Sequence, residues 1–215
     1  MEITYFGQSC FKLKTKEATL VIDPFDPVKL GIKLAKLEAD AVLITHNHFD
    51  HNYKEGVSGN RLLVDGPGEY ELSGVNIFGV PVQHDDKAGA ERGKNTMYYI
   101  EADGVSVLHC GDLGHVLDDD TLDSFGSVTV LLIPVGGVYT IDAEKASKVI
   151  SSIEPTFVVP MHYRIGGSKI SDIDKLEKFL DEMGIENGDV KKATSLNITP
   201  NDNDGETQVI VLEKQ

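Results

Sequence analysis

The chain has 215 residues, a formal net charge of −15 and a hydrophobic content of 40%. Such a chain can bury a substantial core, and it contains no apolar segment long enough to span a bilayer. Its acidic charge opposes long-range attraction to nucleic acid or anionic membranes, and its opening "MEITYFG" lacks the pattern of a secretory signal. We therefore expect a cytoplasmic globular protein, with homo-oligomerisation left open.

The first elements in chain order are short β-strands. β-Forming residues cluster between turn signals in "EITYFG", "CFKLKT" and "ATLVIDPF", which predicts three strands connected as hairpins. A short helix is expected from Ile32 to Glu38. The "AVLIT" run that follows is continuously apolar and of strand length, a pattern typical of a strand covered on both faces.

The rest of the chain alternates strands with two helices. Further strands are predicted in "RLLVD", "GVNIFGVPV", "MYYIEA", "VSVLHCG", "VTVLLIPVGG" and "TFVVPMHY", and a last one in "TQVIVLEK" after the hairpin-like turn "PNDNDGE". Helices are predicted from about Asp142 to Ser152, and after Ser171, with Ser171 as the cap and Gly184 at the end. This order predicts a single α/β domain, residues 1–215, in which two β-sheets pack face to face with helices outside.

Histidines and acids stand where several of these strands end. The chain has seven histidines, and four predicted strands lead directly into a histidine or an aspartate: His46, His84, Asp112 and His162. Loops at strand ends, held by a rigid scaffold, are where convergent polar groups are assembled. Solvation of surface loops alone does not explain why four strands lead into a histidine or an aspartate.

The stretch "THNHFDHN" has the spacing of a metal site. His46 and His48 point to the same side of a chain leaving a strand, so both imidazoles can reach one ion, while Asp50 and His51 can reach a second. The remaining donors must come from distant sequence, and His84, Asp112 and His162 are the candidates. Taken singly, each of these three could be a structural residue or a turn acid. Together they favour metal, because polar turns seldom repeat histidine.

The residues "THNHFDH", His84, "CGD" and "PMHY" resemble, in pattern and order, the ligands of the metallo-β-lactamase superfamily. The segments "ITYFGQSCFKL", "PVGGVYTID" and "VVPMHY" are most similar to its ascorbate-6-phosphate-lactonase-like branch of metal-dependent hydrolases. Gln8 departs from that branch, which often has histidine there. The resemblance implies a four-layer αββα sandwich of two mixed sheets, with the first metal held by His46, His48 and His84, the second by Asp50, His51 and His162, and Asp112 bridging them.

The resemblance, together with this ligand set, implies hydrolysis of a small anionic molecule, which is a lactone, ester, amide or phosphoester, by a hydroxide that two divalent ions generate. Zinc is the leading candidate, with manganese, iron or nickel as alternatives. A phosphodiesterase or ribonuclease on the same fold is a second reading, and a di-iron redox or sensing protein is a third. His48 argues against the di-iron reading, because the oxygen-reducing branch typically has glutamate there.

Residues near the ligands supply the remaining candidates. Asp50, metal-bound water, His115 or Tyr163 could give a proton to the leaving group, and Arg164 could bind a substrate carboxylate or phosphate with its planar fork. Tyr163 is also a candidate for substrate binding. Cys110 is interpreted as a packed strand residue, and the sequence contains no Gly-x-Ser-x-Gly elbow that would supply a serine nucleophile.

Overall fold

The strands of the protein form two large sheets and one small ribbon. The computed structural model describes residues 1–186, 188–202 and 205–215. The strands of the first part of the chain are β1 (Glu2–Gly7), β2 (Cys10–Lys14), β3 (Thr19–Ile22), β4 (Leu37–Glu38), β5 (Ala41–Leu43), β6 (Val57–Ser58), β7 (Leu62–Val64) and β8 (Gly68–Leu72). The later strands are β9 (Val75–Gln83), β10 (Lys94–Ala102), β11 (Val105–His109), β12 (Val130–Pro134), β13 (Phe157–Met161), β14 (Lys191–Ala193), β15 (Leu196–Asn197) and β16 (Gln208–Leu212).

Both large sheets are mixed. The first has six strands in the order β15-β1-β2-β3-β5-β7, and the second has eight in the order β14-β16-β13-β12-β11-β10-β9-β8. The predicted N-terminal hairpins are confirmed, since β1, β2 and β3 pair antiparallel, whereas β3, β5 and β7 run parallel. In the second sheet β11, β12 and β13 are parallel, so their carboxyl ends meet at one edge.

The two sheets pack face to face around one apolar layer. Leu20 of β3 and Leu43 of β5 lie in the same buried cluster as Val107 of β11 and Leu132 of β12. The alternate residues of the first sheet, such as Val21, belong to a second cluster on its outer face. This alternation follows from the two-residue period of a strand, and it gives a sandwich that is covered on its outer faces.

Helices lie outside the sheets, which confirms the αββα architecture. The described residues contain α1 (Pro27–Leu30), α2 (Asp119–Leu122), α3 (Ala143–Ile153) and α4 (Leu176–Glu182), with a 3₁₀ turn at Lys54–Gly56. The helix predicted from about Asp142 is α3, and the side chain of Asp142 caps it by accepting a hydrogen bond from the backbone of Lys145. None of the described helices is long and apolar enough to cross a membrane.

The helix predicted from Ile32 to Glu38 is wrong. The helical turn lies earlier, because Asp26 caps α1 and Gly31, with φ of 85°, ends it in the left-handed conformation. The side chains of Ile32 and Leu37 are buried, but the backbone between them is irregular. Leu37 begins β4, which pairs with β6. These apolar side chains therefore pack against the outer face of the first sheet, and their spacing does not correspond to a helix.

The start of the last helix also differs from the prediction. Ser171 does not cap α4, whose N-cap is Lys175. The backbone of Asp174 instead donates to Gly136 O and accepts from Arg164 N, which holds the preceding segment against two loops. Strand β16 pairs in parallel with β13 and β14, so it is not the second strand of a hairpin. The predicted turn in "PNDNDGE" includes residues 203 and 204, which lie outside the described residues.

Tyr98 joins the two sheets by a buried hydrogen bond, and its removal is expected to destabilise the sandwich. Its hydroxyl donates to Ile44 O at 2.8 Å from a fully buried position. Tyr98→Phe should lower the free energy of unfolding by about 1 kcal/mol, the usual net value of such a bond. Urea unfolding followed by circular dichroism measures this, and Tyr53→Phe is the control. Equal midpoints for the two variants would contradict the prediction.

Candidate metal centre

The structure brings together all seven predicted ligands at one edge of the sandwich. The loop after β5 carries four of them, and the other three follow β9, β11 and β13 of the opposite sheet. Because β11 and β13 are parallel, Asp112 and His162 leave the sheet at the same edge. The side chains that meet there are His46, His48, Asp50, His51, His84, Asp112 and His162.

The carboxylate of Asp112 lies between the other ligands. Its Oδ2 is 3.3 Å from Nε2 of both His84 and His162, and 3.7 Å from Nε2 of His46. Its Oδ1 is 3.2 Å from Nε2 of His51. One carboxylate therefore faces imidazoles from both sheets, the position that a bridging ligand would need.

Ligand atoms converge in three overlapping groups, in each of which all the atoms lie within 4.8 Å of one another. These groups are His46, His48 and His84; His46, His51 and Asp112; and Asp50, His51 and His162. The first and third have the composition predicted for two separate ions, and they share no residue. Imidazole nitrogen and carboxylate oxygen are suitable ligands for zinc and similar divalent ions.

Buried atoms without hydrogen bonds show that a cation fits this cluster. Within the described residues, Nε2 of His46, His51 and His84 and Oδ1 of Asp112 are buried and make no hydrogen bond. An unsatisfied buried polar atom costs about 1–3 kcal/mol, so these atoms need a partner. A metal ion would satisfy nitrogen and oxygen acceptors together, which neighbouring side chains do not.

The environment shifts the histidine pKa values in opposite directions. Burial lowers the pKa of His46 to about 2, which keeps its ring neutral, as a ligand must be. Burial would also lower the pKa of His162, but the carboxylates of Asp112 and Asp50 raise it to about 9. A cation at this point would compete with a proton for His162.

A buried aspartate that the sequence analysis missed orients two of the histidines. Asp23, which ends the "TLVID" strand, accepts from His51 Nδ1 at 2.8 Å and from the Thr45 hydroxyl at 2.7 Å. Because that hydroxyl donates its one proton to Asp23, it can only accept from Nδ1 of His46, 3.0 Å away. Both rings thus direct Nε2 toward the cluster, as hydrogen-bonded ligand histidines do. The strand-end argument that found the ligands applies equally to Asp23.

Tight backbone packing positions Asp112. The amide of Asp112 donates to Asn95 Oδ1, and Asn95 in turn donates to Cys110 O. Gly111 has φ of 55°, and a Cβ added there would lie 2.3 Å from Asn95 Oδ1. Only glycine therefore fits the turn that aims the carboxylate. His109, the last residue of β11, accepts from Gly111 N at Nδ1 and donates to Ser9 O from Nε2, so its role is structural.

Three residues at the cluster have left-handed backbone conformations, which are unusual for residues other than glycine. They are Gln8, Asp23 and His162, with φ of 55°, 48° and 51°. Such strain concentrates at functional sites. Gln8 Nε2 donates to Asp50 Oδ2 at 2.9 Å, and Gln8 O accepts from His162 N at 2.9 Å. Gln8 thus holds one predicted ligand by its side chain and another by its backbone.

Three other predicted residues do not face the cluster. His115 Nε2 accepts from Gln83 N and its Nδ1 donates to Val116 O, so backbone groups engage both nitrogens. Tyr163 packs against Tyr5, and Arg164 donates to Ser171 O. Both line a different cavity from the one above the ligands. The structure therefore does not place His115, Tyr163 or Arg164 on the cavity over the ligands, where their predicted catalytic and substrate-binding roles would require them.

A cavity of about 360 Å³ opens over the ligands. Besides ligands, it is lined by Phe49, Arg92, Tyr139 and Ile170. The sequence analysis missed Arg92 and Tyr139, because both lie in irregular loops without a periodic pattern. The two cysteines, Cys10 and Cys110, are free and buried, and burial raises the pKa of each thiol. Neither is therefore an activated nucleophile.

Comparisons with known proteins agree with this geometry. A sequence profile described as the β-lactamase superfamily domain matches residues 2–162. A metal-dependent hydrolase from Thermococcus onnurineus is 30% identical over 85% of this chain and 93% of its own. A crystal structure from Thermotoga maritima, of a metallo-β-lactamase superfamily protein, is 30% identical with a TM-score of 0.78 and 99% coverage of both chains. The isothiocyanate hydrolase of Delia radicum gut bacteria, 15% identical with a TM-score of 0.70 over 93% of this chain and 100% of its own, shares the fold.

Loss of the Asp23 carboxylate is expected to weaken metal binding without removing a ligand. Asp23→Asn keeps the shape of the side chain but removes the charge that orients His51 and, through Thr45, His46. We expect zinc affinity to fall by about 10- to 100-fold, as for other hydrogen-bond partners of ligand histidines. Competition with a chromogenic chelator measures this, and the exposed Asp120→Asn is the control. Wild-type affinity in a folded Asp23→Asn protein would refute the prediction.

Proposed function

The chain belongs to the metallo-β-lactamase superfamily and is a metal-dependent hydrolase, and on that premise we propose that it hydrolyses a small anionic substrate with two divalent ions. The observation that carries the proposal is the pair of ligand groups without a shared residue, His46, His48 and His84 against Asp50, His51 and His162. Asp112 lies within 3.3 Å of a histidine from each group. A single ion would leave one of the two groups unused.

When bound by these two groups of residues, two divalent ions would supply a water of lowered pKa as the nucleophile near neutral pH and would polarise a carbonyl or phosphoryl oxygen. The mixed nitrogen and oxygen donors suit zinc best, while manganese, iron and nickel are alternatives that availability would decide. The chain then need not provide a nucleophile of its own. This agrees with the buried, unactivated thiols of Cys10 and Cys110.

Asp50 is the residue that we propose for proton transfer. It lines the cavity, and Gln8 fixes its Oδ2 by a hydrogen bond of 2.9 Å. Its Oδ1 receives no hydrogen bond from the described residues, which leaves that atom to take up a proton and to return it to a leaving group. Three side chains were candidates for proton transfer from the sequence. His115 and Tyr163 contact other residues, and Asp50 is the one of the three that lines the cavity.

The cavity limits the size of the substrate. A volume of about 360 Å³ lies at the lower end of the range for small-molecule sites. We therefore propose a small lactone, ester, amide or phosphoester, with lactonase-like chemistry as one member of this set. The net charge of −15 and the acidic composition do not favour RNA as the substrate.

Removing a ligand is expected to abolish metal binding and hydrolysis together. His48→Ala and Asp112→Ala should each reduce bound zinc and reduce the rate by at least about 100-fold, because the nucleophile depends on the ions. Metal analysis, together with a screen of lactones, phosphodiesters and amides, measures both quantities.

His115→Ala is the matched histidine control, and it should keep the wild-type metal content and rate. Full activity of His48→Ala or Asp112→Ala at unchanged metal content would refute the ligand assignment. Two bound irons with visible absorption and little hydrolysis would instead support the di-iron alternative.

A further inference from the structure

One cationic side chain stands on the cavity above the ligands. Among the residues that line this cavity, Arg92 is the one arginine or lysine, and it is accompanied by Phe49, Tyr139 and Ile170. Its guanidinium lies over the ring of Tyr139, 5.4 Å from the centroid. The cavity thus has a ligand-rich part and a second part that combines one cation with apolar surface.

The hydrogen-bonding groups of Arg92 are available to a substrate. Its nearest charged neighbour is Glu91, with NH1 and Oε2 3.9 Å apart, and the guanidinium donates no hydrogen bond to any described residue. The other two arginines differ: Arg61 is 2.7 Å from Asp40, and Arg164 donates to Ser171 O. An arginine that is 31% exposed, stacked on a tyrosine and paired only at 3.9 Å with a neighbouring glutamate keeps its hydrogen-bond donors available for an anion in the cavity.

The loop that carries Arg92 is held in shape by Asp85. The buried carboxylate of Asp85 accepts from the backbone amides of Lys87, Gly89, Glu91 and Arg92 at 2.8 to 3.1 Å. Asp85 directly follows the proposed ligand His84, so this loop extends from the metal centre itself. On the other side, the hydroxyl of Tyr139 donates to Asp172 at 2.5 Å. Both partners in the arginine–tyrosine stack are therefore fixed before a substrate arrives.

We propose that Arg92 binds a carboxylate or phosphate at the end of the substrate remote from the scissile bond. This inference rests on the proposed function, because the scissile group is assigned to the histidine and aspartate ligands. Phe49 and Ile170 contact the carbon chain between the two ends. The substrate class is then a small ester, lactone or amide that carries a second, unreactive anionic group.

A pair of esters tests this assignment. We expect the wild-type protein to hydrolyse mono-4-nitrophenyl glutarate, which has a free carboxylate, with a kcat/KM at least tenfold above that for 4-nitrophenyl butyrate. Arg92→Gln should lower kcat/KM for the anionic ester by about 10- to 100-fold, mainly through KM, the usual effect of losing a charge-assisted hydrogen bond. Hydrolysis of the neutral ester should change less than about threefold. Arg61→Gln is the control, and Arg92→Lys should restore the preference in part.

Calorimetry on the metal-loaded protein gives a readout that does not depend on turnover. Glutarate and 4-phosphonobutyrate should bind at least about tenfold more tightly than butyrate, and Arg92→Gln should abolish the difference. If Arg92→Gln weakens the binding of glutarate more than that of 4-phosphonobutyrate, the preferred anion is a carboxylate. The opposite order identifies a phosphate. Equal binding of glutarate, phosphonobutyrate and butyrate to the wild type, or a preference that survives in Arg92→Gln, would overturn the proposal. If neither ester reacts but the binding preference depends on Arg92, the proposed hydrolysis fails and the anion site stands.

Discussion

The position of one buried carboxylate, that of Asp112, governs the arrangement of the metal centre. Its two oxygens lie between 3.2 and 3.7 Å from imidazole nitrogens of four histidines. Those histidines come from both sheets, so the centre forms only when the sandwich closes with the correct register. The backbone turn that positions Asp112 requires glycine at Gly111 and the hydrogen bond from Asp112 N to Asn95. A small error in the packing of the sheets would therefore separate the ligands.

The protein accepts unfavourable conformations and unpaired buried atoms around this carboxylate. Gln8, Asp23 and His162 have left-handed backbones, each of which costs of order 1–3 kcal/mol. Several buried ligand atoms make no hydrogen bond within the described residues. A bound cation would offset both costs, since its interactions are strong in a site from which water is excluded. Metal binding would therefore also stabilise this edge of the sandwich.

The ligands and the remaining lining of the cavity come from different kinds of structure. The four ligand-bearing segments follow strands β5, β9, β11 and β13 of the sheets, which gives the ligands rigid positions. Arg92 and Tyr139 lie on irregular loops that Asp85 and Asp172 hold by hydrogen bonds. This division lets the sheets set the chemistry of hydrolysis, while the loops set which substrates fit.

The sequence by itself determined the sandwich, eleven of the sixteen described strands and the set of residues that meet at its edge. A strand and its first loop residues are a local pattern, so His46, His84, Asp112 and His162 could be placed from the chain alone. Only the tertiary structure decided what lies around them. The apolar spacing of Ile32 to Glu38 indicated a helix because it does not report the sheet against which these residues pack. Arg164 and His115 were expected near the substrate, and Arg92 was not. Loop side chains are directed by contacts between distant segments, such as Arg92 with Tyr139, which no local pattern encodes.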